Sequence, residues 1–325
     1  MVEIRRSLRQ LLQGIPVIAS QGSLEVEITG LSCDSRTVRK GDLFFALPGQ
    51  HVDGAKFIPD AVAGGAAALV VREPGNWNIP WVVTADPQGA LAPVAANYYD
   101  HPATKMSLLA VTGSNGKTTS AYLTEALLRV AGKAGGMIST IEYKCPGWSE
   151  KAAATTPLAH DLHRIFFEMQ RRGTSHVIME VSSHALVMKR VKGLSFEAAM
   201  FTNLTQDHLD FHKTMEEYGK AKRSLFENYL SPEGTAILNG NDPYVKTLLG
   251  EMRGRKCLSF GTRPELDVVA EDIQIRADGS SFKMRTPLGS VPIESRLLGM
   301  HNVENILGCA AMVLSQGFSL EQIRE

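Results

Sequence analysis

Ser107-Leu-Leu-Ala-Val-Thr-Gly-Ser-Asn-Gly-Lys-Thr-Thr119 is the stretch that decides the fold. A short apolar run, Ser107 to Val111, passes into a glycine-bearing loop. The loop passes into a segment with apolar residues at Leu123, Ala126, Leu127 and Val130. That spacing predicts an amphipathic helix, which can end at Gly132. Strand, glycine loop and helix in this order make a phosphate cradle. Glycines let backbone N–H groups curl toward an anion, at a helix N-terminus whose dipole favours negative charge. Lys117 would reach the outer phosphates of a nucleoside triphosphate, and the Thr118 hydroxyl would ligate Mg²⁺. The strict pattern G-x-x-x-x-G-K-[ST] has glycine where this chain has Val111, so the loop is a variant of it.

Working outward, further short apolar runs read as buried strands of a parallel sheet: His176 to Met179, Ala198 to Phe201, Thr235 to Leu238 and Lys256 to Phe260. Between Asp267 and Leu298 the chain alternates, as in Ser280 to Arg285 and Ser290 to Glu294, which predicts an antiparallel ribbon. A last helix starts near Asn302. Upstream of the loop, Gly41 to Leu47 and Ala67 to Val71 read as strands, and Asp100 to Thr104 as a proline-bearing linker. The expectation is an α/β protein with a small N-terminal α/β domain over 1–102. A P-loop-type, mainly parallel central sheet follows over 103–316, with helices on both faces and an added antiparallel ribbon. Residues 317–325, with Ser319 as an N-cap, read as the start of a C-terminal domain that the chain lacks.

Lys plus Arg and Asp plus Glu each number 34, so the chain shows none of the basic excess of a nucleic-acid binder. Cys33, Cys145, Cys257 and Cys309 are far apart and form no C-x-x-C pair, which argues against a zinc ribbon or a disulfide framework and suits a reducing cytoplasm. The arginines of the first 13 residues precede no apolar core, so no secretory signal is expected. The longest weakly polar run, Ala61 to Val71, is too short for membrane insertion.

In open α/β sheets ligands sit beyond the C-terminal strand ends. Two strands end there in polar residues. Glu180 directly follows Val177-Ile-Met179, the position of a carboxylate that binds Mg²⁺ or a nucleophilic water; it could also cap a helix. In Phe201-Thr-Asn-Leu-Thr-Gln-Asp-His-Leu-Asp-Phe-His212, His208 and His212 are four apart, a zinc-binding spacing on a helix. No glutamate follows the first histidine, and the phosphate loop already occupies the crevice, so a zinc hydrolase is disfavoured and hydrogen bonding within the structure stays open for both rings. Lys222, within Tyr218-Gly-Lys-Ala-Lys-Arg-Ser-Leu-Phe226, reads by itself as part of a solvated helix face.

Taken together, the phosphate loop, Ala154-Thr-Thr-Pro157, Met179-Glu-Val-Ser-Ser-His-Ala-Leu186 and the stretch from Phe201 to His212 resemble the Mur ligases. The likeness is to the MurE type, which adds the third amino acid to UDP-N-acetylmuramoyl-L-alanyl-D-glutamate. Asp34-Ser-Arg36, Gly41 to Leu47 and Asp53-Gly54 resemble that family's nucleotide-sugar domain, so the resemblance spans the chain. It implies an ATP-dependent amide ligase of peptidoglycan precursor synthesis, working as a cytoplasmic monomer on UDP-N-acetylmuramoyl-L-alanyl-D-glutamate, ATP and a diamino acid, meso-diaminopimelate or L-lysine. Thr112, Gly113, Ser114, Asn115, Gly116, Lys117 and Thr118 would hold ATP, and Asn302 and Asn305 would face its adenine. Ser35, Thr155, Thr156, Ser182 and Arg190 would contact the sugar dipeptide. Thr118, Glu180, His208 and Lys222, the last as a carbamate, would bind magnesium; Lys117, Glu180, His208 and Lys222 would serve catalysis. Two rivals stand beside this: a folylpolyglutamate-type ligase, disfavoured by Thr118-Thr119 and by the extra N-terminal domain, and a module that binds nucleotide and UDP-sugar without ligating them.

Overall fold

The computed structural model describes residues 4–49, 53–252 and 254–324. The chain forms two compact units. One is Met1–Thr104 with Pro157–Phe167 and Met188–Gly193; the other is Lys105–Thr156, Glu168–Val187 and Leu194–Glu325. The two short segments, which a linear division at residue 102 counts with the second domain, belong by their contacts to the first unit.

The first unit is built on a five-stranded sheet in the order Ala19–Gln21, Trp81–Val83, Ala68–Val71, Asp42–Phe45, Gly30–Ser32. Among the described residues of this sheet, Ala19–Gln21 pairs antiparallel with Trp81–Val83 and the other pairings are parallel. Alternate residues of a strand face opposite sides. Leu43, Phe45, Val70 and Val82 meet Leu91 and Val94 of the helix Pro87–Tyr98 on one face. Phe44, Leu69, Val71 and Trp81 meet Ile58 and Ala61 on the other. Both faces are covered, which is why these strands read as unbroken apolar runs.

The second unit carries an eleven-stranded sheet. Its strands are β1 Ser107–Thr112, β2 Gly135–Ile138, β3 Glu142–Cys145, β4 Trp148–Lys151, β5 His176–Glu180, β6 Phe196–Phe201, β7 Leu230–Asn239, β8 Lys256–Gly261, β9 Val268–Arg276, β10 Gly279–Thr286 and β11 Gly289–Ser295. The order across the sheet is β4-β3-β2-β5-β1-β6-β7-β8-β9-β10-β11. Strands β2 to β9 in that row run parallel, and antiparallel partners extend the sheet at both ends. The expected ribbon is thus β9 to β11.

Helices α1 Lys117–Val130, α2 Met215–Asn228 and α3 Met300–Leu314 position the site. Leu109, Val111, Ile178, Met200 and Ile237 share a core with α1 and α3. On the opposite face Phe201 stacks on Phe226 of α2, ring centroids 5.9 Å apart. Helices therefore lie on both faces, as the sequence predicts.

Two local expectations differ from what is observed. The deepest residues of α1 are Ser120, Ala121, Thr124 and Leu128, whereas Val130 is 38% exposed and Leu123 and Leu127 are partly buried. The cause is close helix packing: Cys309 of α3 donates to the Ser120 carbonyl at 3.4 Å, which only small residues at the contact allow. The strand β2 and the hairpin β3–β4 are absent from the sequence reading, because Gly135 and Gly136 lower the strand signal where β2 begins. The terminal helix Leu320–Arg324 forms with Ser319 as a reciprocal cap, Gln322 N to Ser319 Oγ at 3.4 Å and Ser319 N to Gln322 Oε1 at 2.9 Å. Phe318 and Ile323 are buried in the core of the second unit. Glu325 lies outside the described residues.

Candidate active site

Strand β1 sits between β5 and β6, all three parallel, so their C-terminal ends open on one crevice. The register sets Glu180 beside Val111 and Phe201 beside Thr112. Val111 is fully buried inside β1, and the turn begins at Gly113. Gly113 and Gly116 have φ of 145° and 84°, a region L side chains rarely adopt. A Cβ on Gly113 would lie 1.9 Å from Thr202 Oγ1, and one on Gly116 would lie 2.4 Å from Asn305 Oδ1. The residues after β6 brace the loop from outside. Ser114 Oγ donates to the Thr205 carbonyl at 2.9 Å, the Asn115 amide to Asn203 Oδ1 at 2.9 Å, and Thr202 Oγ1 to the Asn115 carbonyl at 2.6 Å. The cradle is held open by its own protein contacts.

Lys117 Nζ donates to the carbonyls of Gly113 and Ser114, both at 2.8 Å. Lys222 Nζ donates to the same Gly113 carbonyl at 2.7 Å and lies 4.4 Å from the centre of the Tyr218 ring. Lys222 is 1% exposed, which corrects its reading as a solvated residue. Tyr218, Lys222, Leu225 and Phe226 form the buried stripe of α2, and it is Lys220 that points to solvent, paired with Glu216. Burial, then the neighbouring Lys117 ammonium, push the Lys222 amine down to about 6, against the pull of Asp207. Burial also lowers Lys117, opposed by Glu180 and Asp207.

Glu180, the last residue of β5, is fully buried. Its Oε1 accepts from the Thr140 amide at 2.9 Å and its Oε2 from Thr140 Oγ1 at 3.2 Å. Thr156 Oγ1 donates to the Glu180 carbonyl at 2.8 Å and accepts from the Ser182 amide at 3.1 Å. Lys117, Thr118, Glu180, Ser182, His208 and Lys222, with Thr155 and Thr140, line one cavity of about 300 Å³. Mg²⁺ is commonly held by one or two carboxylates together with phosphate oxygens and waters. A buried carboxylate and the Thr118 hydroxyl across a cavity from a phosphate loop fit such an ion.

His208 has a left-handed backbone, φ 52°, and precedes the short helix Leu209–His212. It stands half exposed with Nε2 3.4 Å from Asp207 Oδ2. His212 is buried, with Nε2 2.8 Å from Ser183 Oγ, and burial, then the neighbours His184, Lys222 and His208, lower its pKa. His208 precedes the helix, so the two are not a helical i, i+4 pair, although both rings lie against His184. Among the described residues no group of three or more His, Cys, Asp or Glu is placed to hold a metal ion. Both observations count against the zinc reading, and His212 is a hydrogen-bonded structural histidine.

Asn302 and Asn305 lie on α3 and line a second cavity, about 570 Å³, with Asn115, Gly116 and Glu304. Glu304 there accepts from Asn239 Nδ2 at 3.0 Å and Asn241 Nδ2 at 2.8 Å. In the first unit, Ser35 lines a cavity of about 890 Å³ with Asp34, Arg36, Phe44, His160 and Asp161. Arg190 belongs to the Met188–Gly193 segment of that unit, with Nη2 3.5 Å from Met188 Sδ. The sequence reading missed Thr140, Tyr218, Ser183 and Glu304. A lysine inside the stripe Tyr218, Leu225, Phe226 was the available signal for a buried site on α2.

Comparison with known proteins gives a consistent picture. The family description "Mur ligase middle domain" matches residues 111–313, and "Mur ligase family, catalytic domain" matches 27–111. Over 302 residues the chain is 44% identical to the UDP-N-acetylmuramoyl-L-alanyl-D-glutamate--2,6-diaminopimelate ligase of Geobacillus kaustophilus (strain HTA426), covering 91% of this chain and 62% of that protein. A solved structure of a UDP-N-acetylmuramoyl-L-alanyl-D-glutamate--2,6-diaminopimelate ligase superposes with a TM-score of 0.83 at 26% identity, covering 99% of this chain and 66% of that one. The "FPGS-AMPPCP complex", of the folylpolyglutamate type, shares the fold alone: TM-score 0.55, 14% identity, 70% of this chain and 64% of that one. The chain spans less than two thirds of the length of the curated relatives it matches, 61 to 66% for the first three.

Proposed function

We propose a function for this chain from the premise that it belongs to the Mur ligase family. It supplies the nucleotide and acceptor parts of an ATP-dependent amide ligase that joins a diamino acid to UDP-N-acetylmuramoyl-L-alanyl-D-glutamate. The names of its relatives favour diaminopimelate over L-lysine. One observation carries the proposal: Lys117, Thr118, Glu180, His208 and Lys222 line a single cavity at the C-terminal ends of parallel strands.

Residues 112–118 cradle the triphosphate, Lys117 neutralises charge on its outer phosphates, and Asn302 and Asn305 face the adenine. Residues 1–102 take the UDP-sugar, with Ser35, Thr155, Thr156, Ser182 and Arg190 on the sugar dipeptide, and 103–316 take ATP. The D-glutamyl carboxylate attacks the γ-phosphorus in line, ADP leaves, and an acyl phosphate forms. The amine of the diamino acid then adds to the acyl carbon and phosphate departs. Positioning and charge stabilisation supply most of the acceleration in such phosphoryl transfers.

Thr118, Glu180, His208 and a carbamylated Lys222 would hold magnesium, which when bound spreads the negative charge of the transferring phosphoryl group. Carbamylation needs a neutral amine: the Lys222 nitrogen bonds to the carbon of CO₂, one C=O electron pair moves to oxygen, and a proton leaves. Its burial and its pKa near 6 support that step. The four free cysteines suit a reducing cytoplasm, and a monomer is what the family resemblance implies.

Calorimetry of the chain with ATP and Mg²⁺, and separately with the UDP-sugar dipeptide, tests the proposal beside an assay of phosphate release. Mg²⁺-dependent ATP binding is the expected result, and its absence sinks the reading. Binding of both ligands without turnover favours the non-catalytic module.

A further inference from the structure

The buried carboxylate at the end of β5 is held by a residue that the proposed chemistry does not use. Both oxygens of Glu180 are engaged by Thr140, one through its amide at 2.9 Å and one through its hydroxyl at 3.2 Å. Thr140 follows β2, in a turn tied by Ser139. Ser139 Oγ lies 3.0 Å from the Glu142 carbonyl and 3.2 Å from the amides of both Ile141 and Glu142. On its other side the Thr140 hydroxyl lies 3.0 Å from the Thr155 hydroxyl.

The donor count gives this chain a direction. A hydroxyl has one proton, and a carboxylate accepts without donating. If Thr140 gives its proton to Glu180, the Thr155 hydroxyl must give its own to Thr140. The order is then Thr155, Thr140, Glu180. It runs from the residue assigned to the sugar dipeptide to the carboxylate assigned to the metal, and all three line the same cavity.

We propose that Thr140 is a positioning residue that fixes the Glu180 carboxylate toward the phosphate loop and couples its orientation to the hydrogen bonding of Thr155. This rests on the proposed function, in which Glu180 faces a divalent cation beside the nucleotide. Outer-shell partners of metal ligands commonly change metal affinity by 10- to 100-fold when removed. Thr140 stands on an exposed turn, so its side chain can be changed without opening the core.

The experiment titrates Mn²⁺ into the chain saturated with a non-hydrolysable ATP analogue, by calorimetry, for the wild type, Thr140→Val, Thr140→Ser and Glu180→Gln. Metal-free analogue binding and the thermal midpoint are measured alongside. Thr140→Val should weaken Mn²⁺ binding by about tenfold or more, leave metal-free binding and the midpoint near wild type, and be rescued by Thr140→Ser. Wild-type Mn²⁺ affinity in Thr140→Val, with Glu180→Gln weakened, overturns the role of Thr140 alone. Loss in both Thr140→Val and Thr140→Ser also overturns it, since the hydroxyl would not be the cause. Wild-type affinity in Glu180→Gln removes the metal assignment of Glu180 and the inference with it. A wild-type chain whose nucleotide binding creates no Mn²⁺ site overturns the proposed function as well.

Discussion

Lys117 and Lys222 donate to one and the same acceptor, the Gly113 carbonyl oxygen, at 2.8 and 2.7 Å. Two amines on one oxygen cannot both stay fully charged at low cost, and the more deeply buried one, Lys222, is the one that yields. Burial lowers both amines, Lys222 to about 6.

Stability should follow the titration of Lys222. Its folded pKa, about 6, lies below its value in an unfolded chain, about 10.4. Between these values the unfolded state binds more protons. The cost of burying the charge is therefore fully present below pH 6 and is relieved as pH rises toward 10. Unfolding free energy should rise with pH across that window, by at most about 1.4 kcal/mol per pH unit from this group. Urea titrations at several pH values should show this slope, and Lys222→Met should flatten it.

Lys117→Ala should weaken ATP binding about 10- to 100-fold, the range for losing a charge-assisted contact of about 1.5–3 kcal/mol, and should abolish phosphate release in a ligating protein. With the neighbouring charge gone, Lys222 should titrate higher than about 6. Calorimetry and NMR titration of the Lys222 amine read the two effects; near-normal turnover would refute the assignment of Lys117.

Gly113→Ala should be more damaging than an ordinary loop substitution. The new Cβ would sit 1.9 Å from Thr202 Oγ1, on a backbone with φ of 145°. A loss of about 1–3 kcal/mol is expected from the strained backbone alone, together with loss of nucleotide affinity. Gly132→Ala, with open space around its Cβ, supplies the comparison for φ strain without the clash. Thermal melts of the two variants measure the difference.

Thr156→Val should destabilise the chain by about 1–3 kcal/mol, because the Glu180 carbonyl and the Ser182 amide lose the buried hydroxyl that bridges them. Thr156→Ser should recover most of the loss. Equal midpoints for Val and wild type would remove the bridge as a stabilising feature.

Much of this fold is legible in the sequence because a parallel sheet covered on both faces writes its strands as plain apolar runs. Four such runs after β1 correspond to β5, β6, β7 and β8. β2 escaped because its glycines carry no apolar side chain, and with it went Thr140, whose place at a strand end would have marked it. The reading of α1 picked the large residues, Leu123 and Leu127, whereas the deepest contacts belong to Ser120 and Ala121. Helical periodicity counts hydrophobicity, and close helix packing rewards small volume. Composition alone does not tell Lys222 from Lys220 or Arg223; its helical spacing from Tyr218, Leu225 and Phe226 places it on the apolar stripe, a signal that reading the segment as a solvated face passed over.

The central place of β1 has a consequence for how the chain is made. Its neighbours in the sheet are β5 and β6, and both come roughly 60 or more residues later in the chain. At typical synthesis rates of about 5–20 residues per second, the apolar segment Leu108 to Val111 waits roughly 3 to 13 s before its first partner strand exists. During that interval it lacks the neighbours that pair its edges in the folded sheet, a condition that favours aggregation. The loop proposed to hold the nucleotide is thus preceded by an apolar strand that spends seconds of synthesis without a sheet partner.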